Sequence, residues 1–152
     1  AVRMMVRIIA AAERRPPSAE ALPKENLSVP DAVSKAACHL ASEMDAKAIV
    51  TSTLSGGAAL RLSKYRPVMP ILAFTPHPEI ERRMNLYWGV SSHSMSMLKS
   101  SDDLFKEMVN GLSLGKLAKQ GDLLVMVSQS LRPGVPRDGT APTDLIKVHQ
   151  VV

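Results

Sequence analysis

Apolar positions along this chain alternate between helical spacing and short unbroken runs, and that switching predicts most of the elements. Residues 1–13 carry Val2, Met5, Val6, Ile9 and Ala10/Ala12 at helical spacing, with Arg3, Arg7 and Arg14 on other faces. This helix starts without a cap, so the expectation is that the chain continues before it. Residues 14–27 hold three prolines and no periodicity, which reads as a linker. A second helix is expected near Ser28, with Ser28 as cap, Pro30 in the first turn and Asp31 against the dipole. Its apolar stripe is Val33, Ala36, Ala37, Leu40 and Met44, with Cys38 and Ala41 beside it.

The centre of the chain is Lys47–Pro67. Ala48-Ile-Val-Thr51 reads as a buried strand, Thr53-Leu54-Ser55-Gly56-Gly57 as a small turn, and the Ala/Leu/Arg-rich segment after it as a helix. A second strand is expected at Pro70–Thr75. A loop and a helix follow, capped by Thr75 or His77 and reaching about Leu86. Leu86–Val90 predicts a short third strand, and the polar stretch 91–100 a surface loop. Ser101-Asp102-Asp103 opens a helix that Leu104, Met108, Val109, Leu112 and Leu117 carry to about Lys119. Gly121-Asp122 is a turn, and Leu123–Ser128 is the clearest fully buried strand. A Pro/Gly-rich loop from Gln129 to Pro142 leads to Asp144–His149, whose alternation suggests an edge strand.

Strands alternating with helices imply a parallel sheet covered on both faces, an α/β fold. Ligands in such folds bind beyond the C-terminal strand ends, where the winding reverses. Two loops have the composition to meet there: Thr53–Ala58, and Leu131-Arg132-Pro133-Gly134-Val135-Pro136. Strand, Gly-rich turn and helix also aim free N–H groups and a dipole's positive end at an anion. The plainer reading of Ser55-Gly56-Gly57 is an ordinary turn with Ser55 as N-cap, since neither G-x-G-x-x-G nor a Walker lysine is present.

Composition narrows the functional classes. The chain has 152 residues and room for one domain, and no apolar run approaches the roughly 18 residues of a membrane span. A net charge of +5 invites a nucleic-acid reading, but much of it is Arg3, Arg7, Arg14 and Arg15. Aromatic content of 3% is also too sparse for a base-stacking platform, so neither nucleic acid nor membrane is expected as a partner. The single Cys38 excludes an internal disulfide and fits a reducing compartment, the cytoplasm by default. It reads as a small core residue, not a nucleophile. The four histidines lack metal-ligand spacing and read as structural or exposed. Tyr87 and Trp88 read as core or interface anchors, and Asp102/Asp103 as dipole complements, because adjacent helix residues point apart.

The segments AKAIVTSTLSGGAALRLSKYRPVMPILAFTPHPEIERRMNLYWGV at 46–90, GDLLVMVSQSLRPGV at 121–135 and TDLIKVH at 143–149 resemble the C-terminal domain of pyruvate kinase. The S-G turn, the YRP triplet, the L-Y-x-G segment and the closing L-I-K-V-H carry the resemblance, which covers nearly the whole chain. It implies a three-layer α/β/α domain with a mixed five-stranded sheet, mostly parallel, the last strand antiparallel. It also divides the chain into 1–15, the last helix of a catalytic barrel, 16–27, a linker, and 28–152, the α/β domain. The parent enzyme would transfer phosphate from phosphoenolpyruvate to ADP with Mg²⁺ and K⁺. Its catalytic groups and ions lie in the barrel, so neither catalytic residue nor metal is expected in this stretch.

What such a domain contributes is a site for a phosphorylated effector, a sugar phosphate or a nucleotide, and part of a homotetramer, or a dimer for this stretch alone. The matching effector positions are Thr53, Leu54, Ser55, Gly56, Gly57 and Ala58, facing Arg132, Pro133 and Gly134. Gly57 and Ala58 depart from the family pattern, which often has a basic or polar residue and a hydroxyl there. Each lost contact is worth roughly 1–3 kcal/mol, so a bisphosphate, a monophosphate and a nucleotide all stay open. The alternative is an assembly module of the same fold with a degenerate effector loop. No acid, base, nucleophile or metal set supports an autonomous small enzyme.

Overall fold

Three runs, at 48–52, 71–75 and 123–128, are apolar on both of their faces, so each needs cover on both sides. A parallel sheet between helical layers provides that cover. The computed structural model describes residues 2–13, 27–97, 100–115, 117–130 and 142–152, and contains this arrangement. Helix α1 (Val2–Ala12) comes first, then α2 (Val29–Glu43), β1 (Ala48–Ser52), α3 (Gly57–Lys64), β2 (Ile71–Thr75) and α4 (Pro78–Met84). They are followed by β3 (Val90–Ser94), α5 (Ser101–Leu114), β4 (Leu123–Ser128) and β5 (Leu145–Gln150).

The sheet order is β3-β2-β1-β4-β5. β1 pairs in parallel with β2 and with β4, β2 pairs in parallel with β3, and β5 runs antiparallel to β4. The chain therefore winds outward from β1 to β3 and returns to the other side of β1. That reversal, between β1 and β4, is the switch point the order of elements predicts.

Alternation along each strand sorts the core into two layers. Ile49, Ile71, Val125 and Val127 share a buried cluster with Ala37, Ala41 and Leu62 of α2 and α3. Val50, Leu72, Phe74, Leu124 and Met126 face the other way, against Leu104, Phe105, Met108 and Leu112 of α5. A smaller cluster of Ala59, Ala73 and Met84 joins α3 and α4 to β2. Gly111 lets α5 come close to the sheet: a Cβ there would lie 3.0 Å from Phe74 Cε1.

Four local expectations are corrected. The third strand is Val90–Ser94, not Leu86–Val90, and it takes up the first four residues of the stretch read as a loop. Ser91, Ser92 and His93 pair with Leu72, Ala73 and Phe74 at the sheet margin, where one flank needs no apolar neighbour. Helix α4 ends at Met84, two residues short of Leu86, and Tyr87 N–H closes on Met84 O at 3.0 Å. Helix α5 ends at Leu114, because Gly115 follows and Leu117 N–H folds back to Leu112 O at 2.9 Å. On α2, Ala36 and Met44 are exposed, and the buried line is Ser34, Ala37 and Ala41. Ser34 sits there at no polar cost, since its Oγ donates to Pro30 O at 2.7 Å. The Ser28 cap forms as expected, accepting from Asp31 N–H.

Phe74 touches α5 at Gly111 and lies 5.3 Å, ring to ring, from His93, so it joins a helix layer to the sheet margin. Phe74→Ala is expected to cost about 3–5 kcal/mol. Urea unfolding with an unchanged slope measures it, and a loss under about 1 kcal/mol would mean the two layers are held elsewhere.

Candidate functional site

The loop at the end of β1 is built by three local constraints. Thr53 N–H extends the ladder to Phe74 O at 2.9 Å. Gly56 N–H then donates to Thr53 Oγ1 at 3.0 Å, folding the turn on itself. Gly56 has φ +81°, left-handed backbone that a side chain resists, and it delivers the chain into α3. The N-cap of α3 is thus Gly56, not Ser55, and no side chain among the described residues caps it. Ser55 is exposed, Leu54 is half-buried and Ala58 is buried at 5% exposure.

An uncapped first turn leaves its N–H groups without intrahelical partners and at the positive end of the dipole. Two guanidinium groups reinforce that charge. Arg61, one turn into α3, brings Nη1 to 3.0 Å from where a Cβ on Gly57 would stand. Arg83, from α4, donates through Nη2 to Ser55 O. Arg61 Nε also lies 3.8 Å from Asp31 Oδ1, with the two side chains 39% and 26% exposed. A surface pair of this kind contributes ~0–1 kcal/mol and leaves Arg61 able to move to a stronger anion.

On the β4 side, Ser130 N–H donates to Asp144 Oδ1 at 2.6 Å and Asp144 N–H to Ser128 O at 3.2 Å, closing the base of the following loop. Ser128 Oγ is buried with no hydrogen-bond partner among the described residues. Arg132, Pro133 and Gly134 fall in 131–141, outside the described residues. Of the nine positions read as an effector site, the structure brings Thr53, Leu54, Ser55, Gly56, Gly57 and Ala58 to the switch point. It adds Arg61 and Arg83, which the sequence reading missed. Arg61 was within reach, since position i+4 from Gly57 lies on the same helix face. Arg83 belongs to another helix and left no local signal.

Cys38 is half-buried with Sγ 3.9 Å from Leu62 O, and burial pushes its thiol up to about 12. A thiol that stays protonated is a poor nucleophile. His93 is pulled down by burial, with Glu81 acting in the opposite direction. His39 and His77 lie near Glu43 and Glu79 at 3.9 and 3.8 Å. His149 is half-buried, its Nε2 without a hydrogen-bond partner among the described residues. Among the described residues no group of three His, Cys, Asp or Glu could hold a metal ion, and no helix is long and apolar enough to cross a membrane. Tyr87 packs against the α3–α4 cluster, and Trp88 is half-buried.

Comparison with known proteins adds an independent line. A family model described as "Pyruvate kinase, alpha/beta domain" matches residues 31–149. The chain is 36% identical to pyruvate kinase 2 of Synechocystis over 99% of its own length and 25% of that protein. It is 35% identical to the pyruvate kinase of Geobacillus stearothermophilus over 82% of its length and 20% of that protein, so it spans a quarter or less of both relatives. A solved pyruvate kinase from Cryptosporidium parvum superposes with a TM-score of 0.71 at 26% identity, covering 86% of this chain and 24% of that one. The same enzyme in complex with ADP gives 0.72 at 27%, covering 86% and 25%.

The Cys38 environment is testable. A thiol raised on folding contributes stability that is complete below the unfolded value near ~8.5 and is lost as pH rises toward 12. Native protein at pH ~8 is therefore expected to label with a disulfide reagent only at its opening rate. Labelling as fast as in urea would show the thiol is not held in the core.

Proposed function

The chain belongs to the pyruvate kinase family, with residues 31–149 forming that family's α/β domain, and on that premise we propose that it is the regulatory and assembly domain of a pyruvate kinase. The enzyme carrying it would transfer phosphate from phosphoenolpyruvate to ADP, and this domain would bind a phosphorylated effector without taking part in the chemistry. The observation that carries the reading is the uncapped N-terminus of α3 at the β1–β4 switch point, with two guanidinium groups drawn onto it. On the same family reading, the Mg²⁺ and K⁺ of that reaction would be held by the enzyme's catalytic barrel.

Anion recognition follows from elementary electrostatics. A phosphate seated on the first turn of α3 accepts from backbone N–H groups and meets the positive dipole end. Arg61 then supplies the charge that position 57 lacks, since its Nη1 reaches the volume a side chain at 57 would fill. Arg83 holds the Ser55 carbonyl and keeps the turn in shape. The same ligand would touch the β4 loop through Arg132. Coupling to a distant barrel would then come from an effector that binds one arrangement of the two loops better than another.

A titration separates effector site from degenerate loop. The chain is expected to bind glucose 6-phosphate, ribose 5-phosphate or a fructose bisphosphate by calorimetry at or below millimolar concentration. Gly57→Asp should abolish that binding and leave the fold intact. Its carboxylate would neutralise Arg61 and repel the anion, and the atoms its Cβ meets, Arg61 Nη1 at 3.0 Å and Ser55 Oγ at 3.4 Å, belong to side chains that can turn aside. Arg61→Gln should weaken it about tenfold or more, the worth of one charge-assisted hydrogen bond. Absence of heat from every ligand at millimolar concentration overturns the effector reading.

Assembly rests on two surfaces. Strand β5 closes one margin of the sheet with Val148 38% exposed. Helix α1 buries none of its residues, leaving Val2, Met5, Val6 and Ile9 between 52% and 73% exposed, as a helix made to pack on another domain would be. Sedimentation is expected to show self-association of the chain at high concentration. A monomer throughout would count against the assembly role.

A further inference from the structure

The contacts around Trp88 converge from four elements. Its indole N–H donates to Glu13 Oε1 at 2.8 Å, 75 positions back along the chain and directly after α1. Its carbonyl accepts from Ser63 Oγ at 2.7 Å, in the last turn of α3. On one side of it Tyr87 N–H closes on Met84 O at the end of α4, at 3.0 Å. On the other, Gly89 O accepts from Ile71 N–H at the start of β2, at 2.9 Å. We propose that Trp88 is a positioning residue that clasps α1 to the α/β domain through Glu13 and ties it there to α3. The clasp is independent of what the β1 loop binds.

Helix α1 needs such a tie. It buries none of its residues, and a helix of its length is marginal in water without tertiary contacts. Its last turn closes on Glu13, whose N–H donates to Ile9 O at 2.9 Å. Fastening the Glu13 carboxylate therefore fixes the end of α1 and, with it, the direction in which the exposed Val2, Val6 and Ile9 are presented. A hydrogen bond to a carboxylate is among the stronger ties an exposed side chain makes.

The domain side of the clasp is ordered by its own contacts. Ser63 is buried, so its hydroxyl is committed to the Trp88 carbonyl. Arg66 follows α3 with φ +44°, a helix-ending conformation in which glycine is the usual residue. An arginine there accepts some strain, and its guanidinium lies 5.6 Å from the centre of the Trp88 ring. A tryptophan that merely filled a surface turn would leave the buried Ser63, the left-handed Arg66 and the Glu13 bond as three coincidences. Held at its carbonyl and its ring face, the indole offers Glu13 a donor that costs little entropy to arrange.

Hydrogen exchange on the full chain, read on peptides from residues 2–13, tests the clasp. Trp88→Phe keeps an aromatic ring and removes the donor, and Glu13→Ala removes the acceptor. Each is expected to speed exchange of 2–13 about tenfold, the worth of one hydrogen bond to a charged group. Peptides covering β1 and β4 should exchange as in the wild-type chain. The double variant should be no faster than either single one, because both remove the same bond. Ser63→Ala, which cuts the tie to α3, should speed exchange of 2–13 about threefold. Exchange of 2–13 at the unprotected rate in the wild-type chain overturns the proposal, as does an unchanged rate in Trp88→Phe or Glu13→Ala, or an additive double variant. Glu13 is exposed, so Glu13→Ala decides the matter where Trp88→Phe disturbs the fold. An unchanged rate in Ser63→Ala overturns the tie to α3.

Discussion

The parallel pairing of β1 with β4 is the constraint from which the rest of the domain follows. Ala48, Ile49, Val50 and Thr51 lie in register with Leu124, Val125, Met126 and Val127, although two strands and three helices separate them in the chain. Parallel neighbours need a crossover, and a right-handed crossover returns the chain over one face of the sheet. Winding β1 to β3 on one side and β4 to β5 on the other puts α2 and α3 on one face and α5 on the opposite face. Both central strands are thereby sealed, and their C-terminal ends open side by side.

Helix α3 serves three environments at once. Ala59 and Leu62 are fully buried and join α3 to the sheet and its neighbouring helices. The N-terminus, set by the left-handed Gly56, stays uncapped at the switch point. The last turn, beyond Arg61, holds Trp88 through the Ser63 hydroxyl. An eight-residue helix has little stability of its own. Its place is set by the small residues that let it lie close to β1 and β2, with α4 and Arg83 behind it.

Under the proposed effector role, the β1 loop would draw its charge from outside positions 57 and 58. Gly57 and Ala58 offer neither a cation nor a hydroxyl, yet the space above Gly57 holds an arginine from the next turn. A guanidinium reaching in from i+4 places charge near the same point, with more freedom and a partner in Asp31 to leave behind. Under that proposed role, the expected consequence is a preference for an anion with weak discrimination among phosphates, because the position of the charge is less rigidly fixed.

Much of this was legible in the sequence. The unbroken apolar runs at 48–51 and 123–128 determined two central strands, because a strand buried on both faces cannot hide that pattern. The cap at Ser28 and the Ser101-Asp102-Asp103 start determined where two helices begin, and the order of elements placed the β1 loop at the switch point. Tertiary structure decided the rest. Val90–Ser94 is a strand only because β2 offers it a ladder, since its own side chains are largely polar. Ala36 and Met44 fit the helical period but face solvent, because the side of α2 turned to α3 and the sheet is the one that carries Ser34, Ala37 and Ala41. Arg83 reaches Ser55, and Arg66 reaches Trp88, only once helix, strand and turn are packed. Local periodicity records which face of an element is buried; which side chains then meet across elements is settled by the packing.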